Sequence, residues 1–229
     1  KKILIIGDSD IFVKRFVEYF SLRQYEVCLL TFGPIVEKIN ANVIVMPFKR
    51  PYGALMNILF ARKIVRNFSP DLLHVFSGGV DGFLGRMLGV RPSVLNVYGT
   101  EIFDVPGKST LHKFLIRTNL MYYDQICSTS EIMASRTREL ISFRKSVIVT
   151  PFGVDLKEFV KPNSNKREKN TITIGTVKRL TNKYGIDTLI RAFREVKNCL
   201  DEQDDVCVKL LIVGDGSEKQ SLINLASDL

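Results

Sequence analysis

At 229 residues, with 45% hydrophobic and 25% charged residues, the chain is long for one domain and short for two complete α/β domains. No apolar run approaches the roughly 18–20 residues that span a bilayer. The net charge of +9 calls for an anionic partner. Nucleic acid is set aside, because there is no nucleic-acid-binding motif and no aromatic-interleaved basic strand; a phosphorylated ligand or an anionic lipid surface suits the pattern better.

Lys1-Lys2 leads into a short strand-like run that stops at Gly7-Asp8, which is not the pattern of a signal peptide. Strands are predicted at 3–6, 27–32, 43–47, 72–76, 94–98, 125–129 and 147–150. Helices are predicted at 11–22, 55–67, 82–88, 111–123 and 132–141. This alternation predicts a doubly wound α/β domain with a parallel sheet over residues 1–160. Its first turn, Gly7-Asp8-Ser9-Asp10, faces the cleft at the carboxyl ends of the strands, and Asp8 or Asp10 caps the helix that follows. Ser77-Gly78-Gly79 ends the fourth strand. Asn96–Ile102 ends the fifth with a glycine turn, Tyr98-Gly99, and a carboxylate, Glu101, which serves either the cleft or the next helix cap. Ser130 is the predicted cap of the helix after Thr129. His74 lies in an apolar strand and reads as a core histidine, and His112 opens a basic helix and reads as solvated. Cys28 and Cys127 fall in apolar runs and read as free thiols, which fits a reducing cytoplasm. The helices around 55–66 and 111–121 mix apolar and basic residues. Each is either an ordinary core-packed helix with a charged outer face or one that lies in an anionic membrane interface.

Residues 161–170 hold no apolar residue except Pro162 and read as a linker. A second region, 171–229, starts with the apolar run Ile172-Thr173-Ile174, which empties into a loop carrying Arg179 and Lys183 before a helix opens at Gly185-Ile186-Asp187. A strand, two cations and a helix N-terminus together make a pocket for a phosphate. A further strand at Leu211-Ile212-Val213 turns at Gly214 and Gly216, which implies either positive φ or a close approach. Two strands leave open edges, so the chain reads as stopping inside its second domain.

Three segments in order carry a resemblance. Val177–Gly185 resembles the loop with which family 4 glycosyltransferases hold the diphosphate of a nucleotide sugar. Ile148–Phe159 is similar to the segment joining the two domains of that family, and Leu211–Ser217 to its next strand and glycine turn. The likeness extends over the whole chain, is strongest from Asp71 to Gly216, and is nearest to bacterial enzymes that build surface polysaccharides.

The resemblance implies the two-Rossmann-domain (GT-B) type, with an acceptor-side first domain and an incomplete second domain that binds a nucleotide-sugar donor. Arg179 and Lys183 would take the donor diphosphate, although Tyr184 intervenes where relatives place lysine directly before the glycine. Tyr98 and Glu101 stand where relatives carry a histidine and an aspartate at the acceptor site. Gly7 and Ser9 belong to a turn that has two adjacent glycines in relatives, whereas here two aspartates would repel a phosphate. Gly153 would shape the crossing between domains, and Gly214 and Gly216 would admit the base. The implied chemistry is retaining and needs no metal and no cofactor. The departing phosphate takes the acceptor's proton, and the acceptor is a glycan or a lipid-linked glycan at the inner face of the membrane. A non-catalytic fragment that binds a nucleotide or a partner is the alternative. A sugar-nucleotide epimerase is another, while the missing G-x-G-x-x-G argues against a dinucleotide enzyme.

Overall fold

The computed structural model describes the chain except residues 36–38, 51, 155, 158, 161–169, 202–206 and 229. It divides into two compact units, Lys1–Asp155 and Leu156–Leu229. The expected linker, 161–170, lies outside the described residues apart from Asn170.

The first unit runs β1 (Lys2–Ile6), α1 (Ile11–Leu22), β2 (Glu26–Thr31), β3 (Asn42–Val45), α2 (Gly53–Met56), α3 (Ile58–Phe68), β4 (Leu72–Phe76) and α4 (Val80–Leu88). It continues with β5 (Ser93–Val97), α5 (Thr100–Phe103), a 3-10 turn (Val105–Gly107), α6 (Thr110–Tyr122), β6 (Gln125–Ser128), α7 (Glu131–Leu140) and β7 (Val147–Val149). The seven strands form one sheet in the order β3-β2-β1-β4-β5-β6-β7, every pair parallel. A parallel sheet is covered on both faces, and β1 shows why its sequence is an unbroken apolar run. Leu4 and Ile6 enter one core with Ala61 of α3, Leu84 of α4 and Leu120 of α6, while Ile3 and Ile5 enter the other with Val13 and Val17 of α1.

Predicted and observed elements differ most at one place. The single helix expected over 55–67 is two helices broken at Asn57, which is fully buried. Its side chain works as a backbone substitute: Nδ2 donates to Phe48 O at 2.8 Å, and Oδ1 accepts from Phe48 N at 3.3 Å. A buried amide must satisfy both ends, and doing so with the preceding loop interrupts the helix. The caps fall where the sequence put them. Asp10 accepts from the amides of Phe12 and Val13, and Ser130 from that of Met133.

His74 is a core residue. Its Nε2 meets Asn96 Oδ1 at 3.1 Å and its ring stacks on Phe76. Burial pushes its pKa down to about 4, against the hydrogen bond to Asn96. In the unfolded chain the imidazole takes a proton near pH 6.5, so between about pH 6.5 and 4 the unfolded state binds more protons and stability falls as pH falls. The expected result is a loss on the order of 3 kcal/mol on acidification through that window, by about 1.4 kcal/mol per pKa unit. Urea melts of His74→Gln should be correspondingly flatter there; identical slopes would assign the acid sensitivity elsewhere.

The second unit contains β8 (Thr171–Val177), a 3-10 turn (Asn182–Tyr184), α8 (Ile186–Asp201), β9 (Cys207–Val213) and α9 (Lys219–Asp228). β8 and β9 pair in parallel, with Ile174 opposite Leu210. Leu180, Ile186 and Ile190 form its small core with Leu210, Ile212, Leu222 and Leu225. Alternate residues of the same strands, among them Ile172, Leu211 and Val213, remain exposed.

Candidate functional site

In the first unit the strand order reverses between β1 and β4, and in open α/β sheets the crevice beyond the carboxyl ends of such a pair is where ligands bind. Gly7 follows β1 directly, and Ser9 is buried with Oγ donating to Pro34 O at 2.6 Å. The crevice holds a charge cluster that the sequence did not point to. One nitrogen of Arg50, Nη1, reaches both oxygens of Asp8 at 2.8 and 2.9 Å, and Nη2 reaches both oxygens of Asp81 at 2.7 and 2.6 Å. Asp81, in the first turn of α4, is almost wholly buried, and burial pushes its pKa up to about 6 against the pull of Arg50. Asp8 is thus paired, but a single guanidinium serves two carboxylates, so the cluster offers an incoming anion no net positive charge.

Beyond β5, Glu101 accepts from the amides of Tyr98 at 2.8 Å, Gly99 at 3.2 Å and Gly78 at 3.3 Å. Both oxygens are thus engaged, and the side chain is buried. It ties the turn after β5 to the Ser77-Gly78-Gly79 turn after β4. Gly99 sits at φ 143°, a conformation that residues with a Cβ rarely adopt, and the successive amides of Tyr98 and Gly99 converge with that of Gly78 on one carboxylate. Tyr98 packs among Phe76, Phe12 and Phe152, and its hydroxyl is buried with no hydrogen-bond partner among the described residues. Burial, then the charges of Asp10, Glu101 and Asp8, raise its pKa, so the phenol stays protonated. Phe152 stacks on Phe12 at 4.0 Å, and the Gly153 carbonyl accepts from Arg15 at 2.8 Å.

In the second unit Arg179 and Lys183 are exposed on a loop whose backbone is pinned on both sides of Arg179. Lys178 N donates to Val213 O at 3.0 Å, Leu180 N to Asp215 O at 2.9 Å, and Glu218 N to Leu180 O at 3.0 Å. Leu180 is buried as the anchor. Gly214 and Gly216 do not take positive φ, and what crowds them is the chain's own backbone. A Cβ on Gly214 would lie 1.8 Å from Lys178 O, and one on Gly216 2.2 Å from Leu180 O. Gly214→Ala must therefore push the loop away. We expect a stability loss of about 1–3 kcal/mol, the scale of overpacking, and weaker anion binding in titration calorimetry; an unchanged loop would show that the turn yields freely.

The structure thus brings the expected residues together in two sets, Gly7, Ser9, Tyr98, Gly99, Glu101 and Gly153 in one unit and Arg179, Lys183, Gly214 and Gly216 in the other. Among the described residues no helix is long and apolar enough to cross a membrane.

These features define a protein of α/β class and GT-B type. The chain belongs to the glycosyl transferase 4-like family, whose pattern it matches over residues 2–130, and matches glycosyl transferases group 1 over residues 157–229. That is a family of sugar-transferring enzymes. No curated protein matches the sequence. Among solved structures it is similar to sucrose-phosphate synthase from Thermosynechococcus elongatus, at 15% identity and a TM-score of 0.78, over 100% of this chain and 67% of that one. A glycosyltransferase from Rickettsia africae matches at 15% identity and a TM-score of 0.71, over 99% of this chain and 64% of that one. The Anabaena protein HepE, solved in complex with UDP, matches at 15% identity and a TM-score of 0.71, over 100% and 65%. The chain spans about two thirds of the length of these structures.

Proposed function

We propose that the protein transfers a sugar from a nucleotide-activated donor to a glycan or lipid-linked acceptor in surface polysaccharide synthesis. The observation that carries this reading is the pinned loop Lys178–Gly185, which displays Arg179 on a fixed backbone in the segment whose sequence resembles the family's diphosphate-binding loop. Arg179 and Lys183 neutralise the charge that grows on the departing diphosphate, the part a divalent ion plays elsewhere, so the reaction needs no metal and no cofactor. The acceptor side is the crevice beyond β1 and β4, and basic α3 and α6 favour contact with an anionic membrane at the cytoplasmic face. Transfer proceeds with retention: the leaving phosphate takes the acceptor's proton, so no free protein base is required. The protonated Tyr98 and the fully engaged Glu101 agree with that, since neither offers a free base.

The test is transfer of radiolabelled sugar from a panel of nucleotide sugars to short glycan and lipid-phosphate acceptors, with the anomeric configuration read by NMR. A retained configuration without added metal is expected; inversion, or dependence on a divalent ion, would overturn the mechanism. A second reading, nucleotide binding without transfer, draws on the same locked Glu101 and Tyr98. It would show as tight UDP or GDP binding with no transfer to any acceptor.

A further inference from the structure

A cavity of about 390 Å³ lies in the first unit between α2, α4, the 3-10 turn and α6. Its wall is almost wholly apolar: Ala54, Val80, Phe83, Val105, Leu115 and Ile116. Gly79 and Asn119 also line it, and the Asn119 amide donates to the carbonyls of both Gly78 and Gly79 at 2.9 and 3.1 Å. The cavity therefore backs directly onto the turn that Glu101 holds from its other side through Gly78 N. It is an open apolar slot beside the turn that borders the candidate acceptor crevice.

Its mouth is as unusual as its wall. Leu55 and Leu115 line it while 64% and 39% exposed; Leu111, one turn before Leu115 on α6, and Leu59, on α3 beyond the break at Asn57, are 63% and 77% exposed. Apolar residues clustered in this way on a surface mark a binding region. Arg62, Lys63 and Arg66 follow Leu59 on one face of α3, and His112 lines the cavity itself. α2, α3 and α6 carry no carboxylate at all. An ordinary solvent-facing helix intersperses both signs; these do not.

We infer that this cavity takes the hydrocarbon chain of an anionic amphiphile, the chain lying between α2, α4 and α6 and the phosphate head near the basic face of α3. The inference rests on the acceptor reading above and narrows it, because it makes the acceptor an alkyl or prenyl phosphate rather than a free glycan. The apolar wall suits the chain, the basic face of α3 suits the phosphate, and the Gly78-Gly79 turn stands between the slot and Glu101.

The experiment is a calorimetric titration of the protein with n-alkyl phosphates from hexyl to decyl, below their micellar concentrations. A chain entering the slot gains about 0.8 kcal/mol per buried methylene, which is roughly four-fold in affinity for each added carbon. Leu115→Trp, which fills the mouth, should abolish that dependence, with Val105→Phe as a second filling variant should the first lose its native circular dichroism. Leu111→Ser, on the exposed patch outside the cavity, should leave it intact. Affinity that does not rise with chain length would overturn the inference. So would equal loss in Leu111→Ser, which would mean a flat adsorbing surface, or a dimer in sedimentation that decyl phosphate fails to dissociate, which would mean that a second copy covers the patch. The readout needs no sugar transfer. A chain-length dependence without transferase activity keeps the slot and removes the proposed reaction, and transferase activity without that dependence does the reverse.

Discussion

Replacing Arg179 with alanine is expected to weaken nucleoside-diphosphate binding by about 1.5–3 kcal/mol, the usual scale for a hydrogen bond to a charged group. That is a roughly 10- to 150-fold rise in Kd, by about 1.4 kcal/mol per decade. Arg179→Lys should recover only part of it, because the planar guanidinium makes two parallel bonds to phosphate oxygens and an ammonium makes one point contact. The loss should be one of binding alone. Arg179 is exposed, whereas the loop's position is held by its backbone and by buried Leu180, so the melting temperature should not move. Calorimetry with UDP and GDP, beside a thermal melt, separates the two effects. Wild-type affinity in Arg179→Ala would remove the residue from the site.

Arg50→Met carries the opposite signature, a large loss of stability whatever its effect on ligand. Asp81 is almost wholly buried and both its oxygens rest on Arg50, so removing the guanidinium strands a carboxylate in the interior. Stranding one partner of a buried pair costs about 3–5 kcal/mol. The variant should also change its pH response. Without Arg50 nothing opposes the burial that already raises the pKa of Asp81, so the folded state holds a proton that the unfolded state has lost above about pH 4. Stability should then fall as pH rises, and the variant should melt higher at pH 5 than at pH 7. Arg50→Met with Asp81→Asn should restore much of the loss, since no buried charge remains. A single variant as stable as the parent would mean that the cluster is solvated in solution.

What could be read from the sequence follows from how local each signal is. The limits of α1, Ile11–Leu22, were legible because Asp10 caps its own helix within three residues. The strands were legible because a sheet covered on both faces writes itself as continuous apolar runs. Arg179, Lys183 and the two glycines after β9 were legible as a pattern, but that the chain's own backbone crowds the glycines emerged only when Lys178 O and Leu180 O were seen against them. The break at Asn57 was hidden, because nothing in the sequence says that an asparagine in a helical run is spent on Phe48 nine residues earlier. The Arg50 cluster was hidden for a stronger reason. Its partners lie 42 and 31 residues away, and Arg50 sits in a loop with no periodicity to read. The apolar slot was invisible as a slot, although the two helices that flank it had been marked for their mixture of apolar and basic residues.

The end of the first unit is fastened to the body of that unit. Thr150 N is held by Ser128 O at 2.7 Å, Phe152 is stacked on Phe12, and Gly153 is held through its carbonyl by Arg15. The backbone is therefore fastened to its own domain for every step up to Gly153. Two residues of α1, Phe12 through its ring and Arg15 through its guanidinium, thus splint the tail of the first unit against the start of its own fold. An Arg15→Ala substitution would release the Gly153 carbonyl and leave the tail held by the Phe12–Phe152 stack and the Thr150 amide.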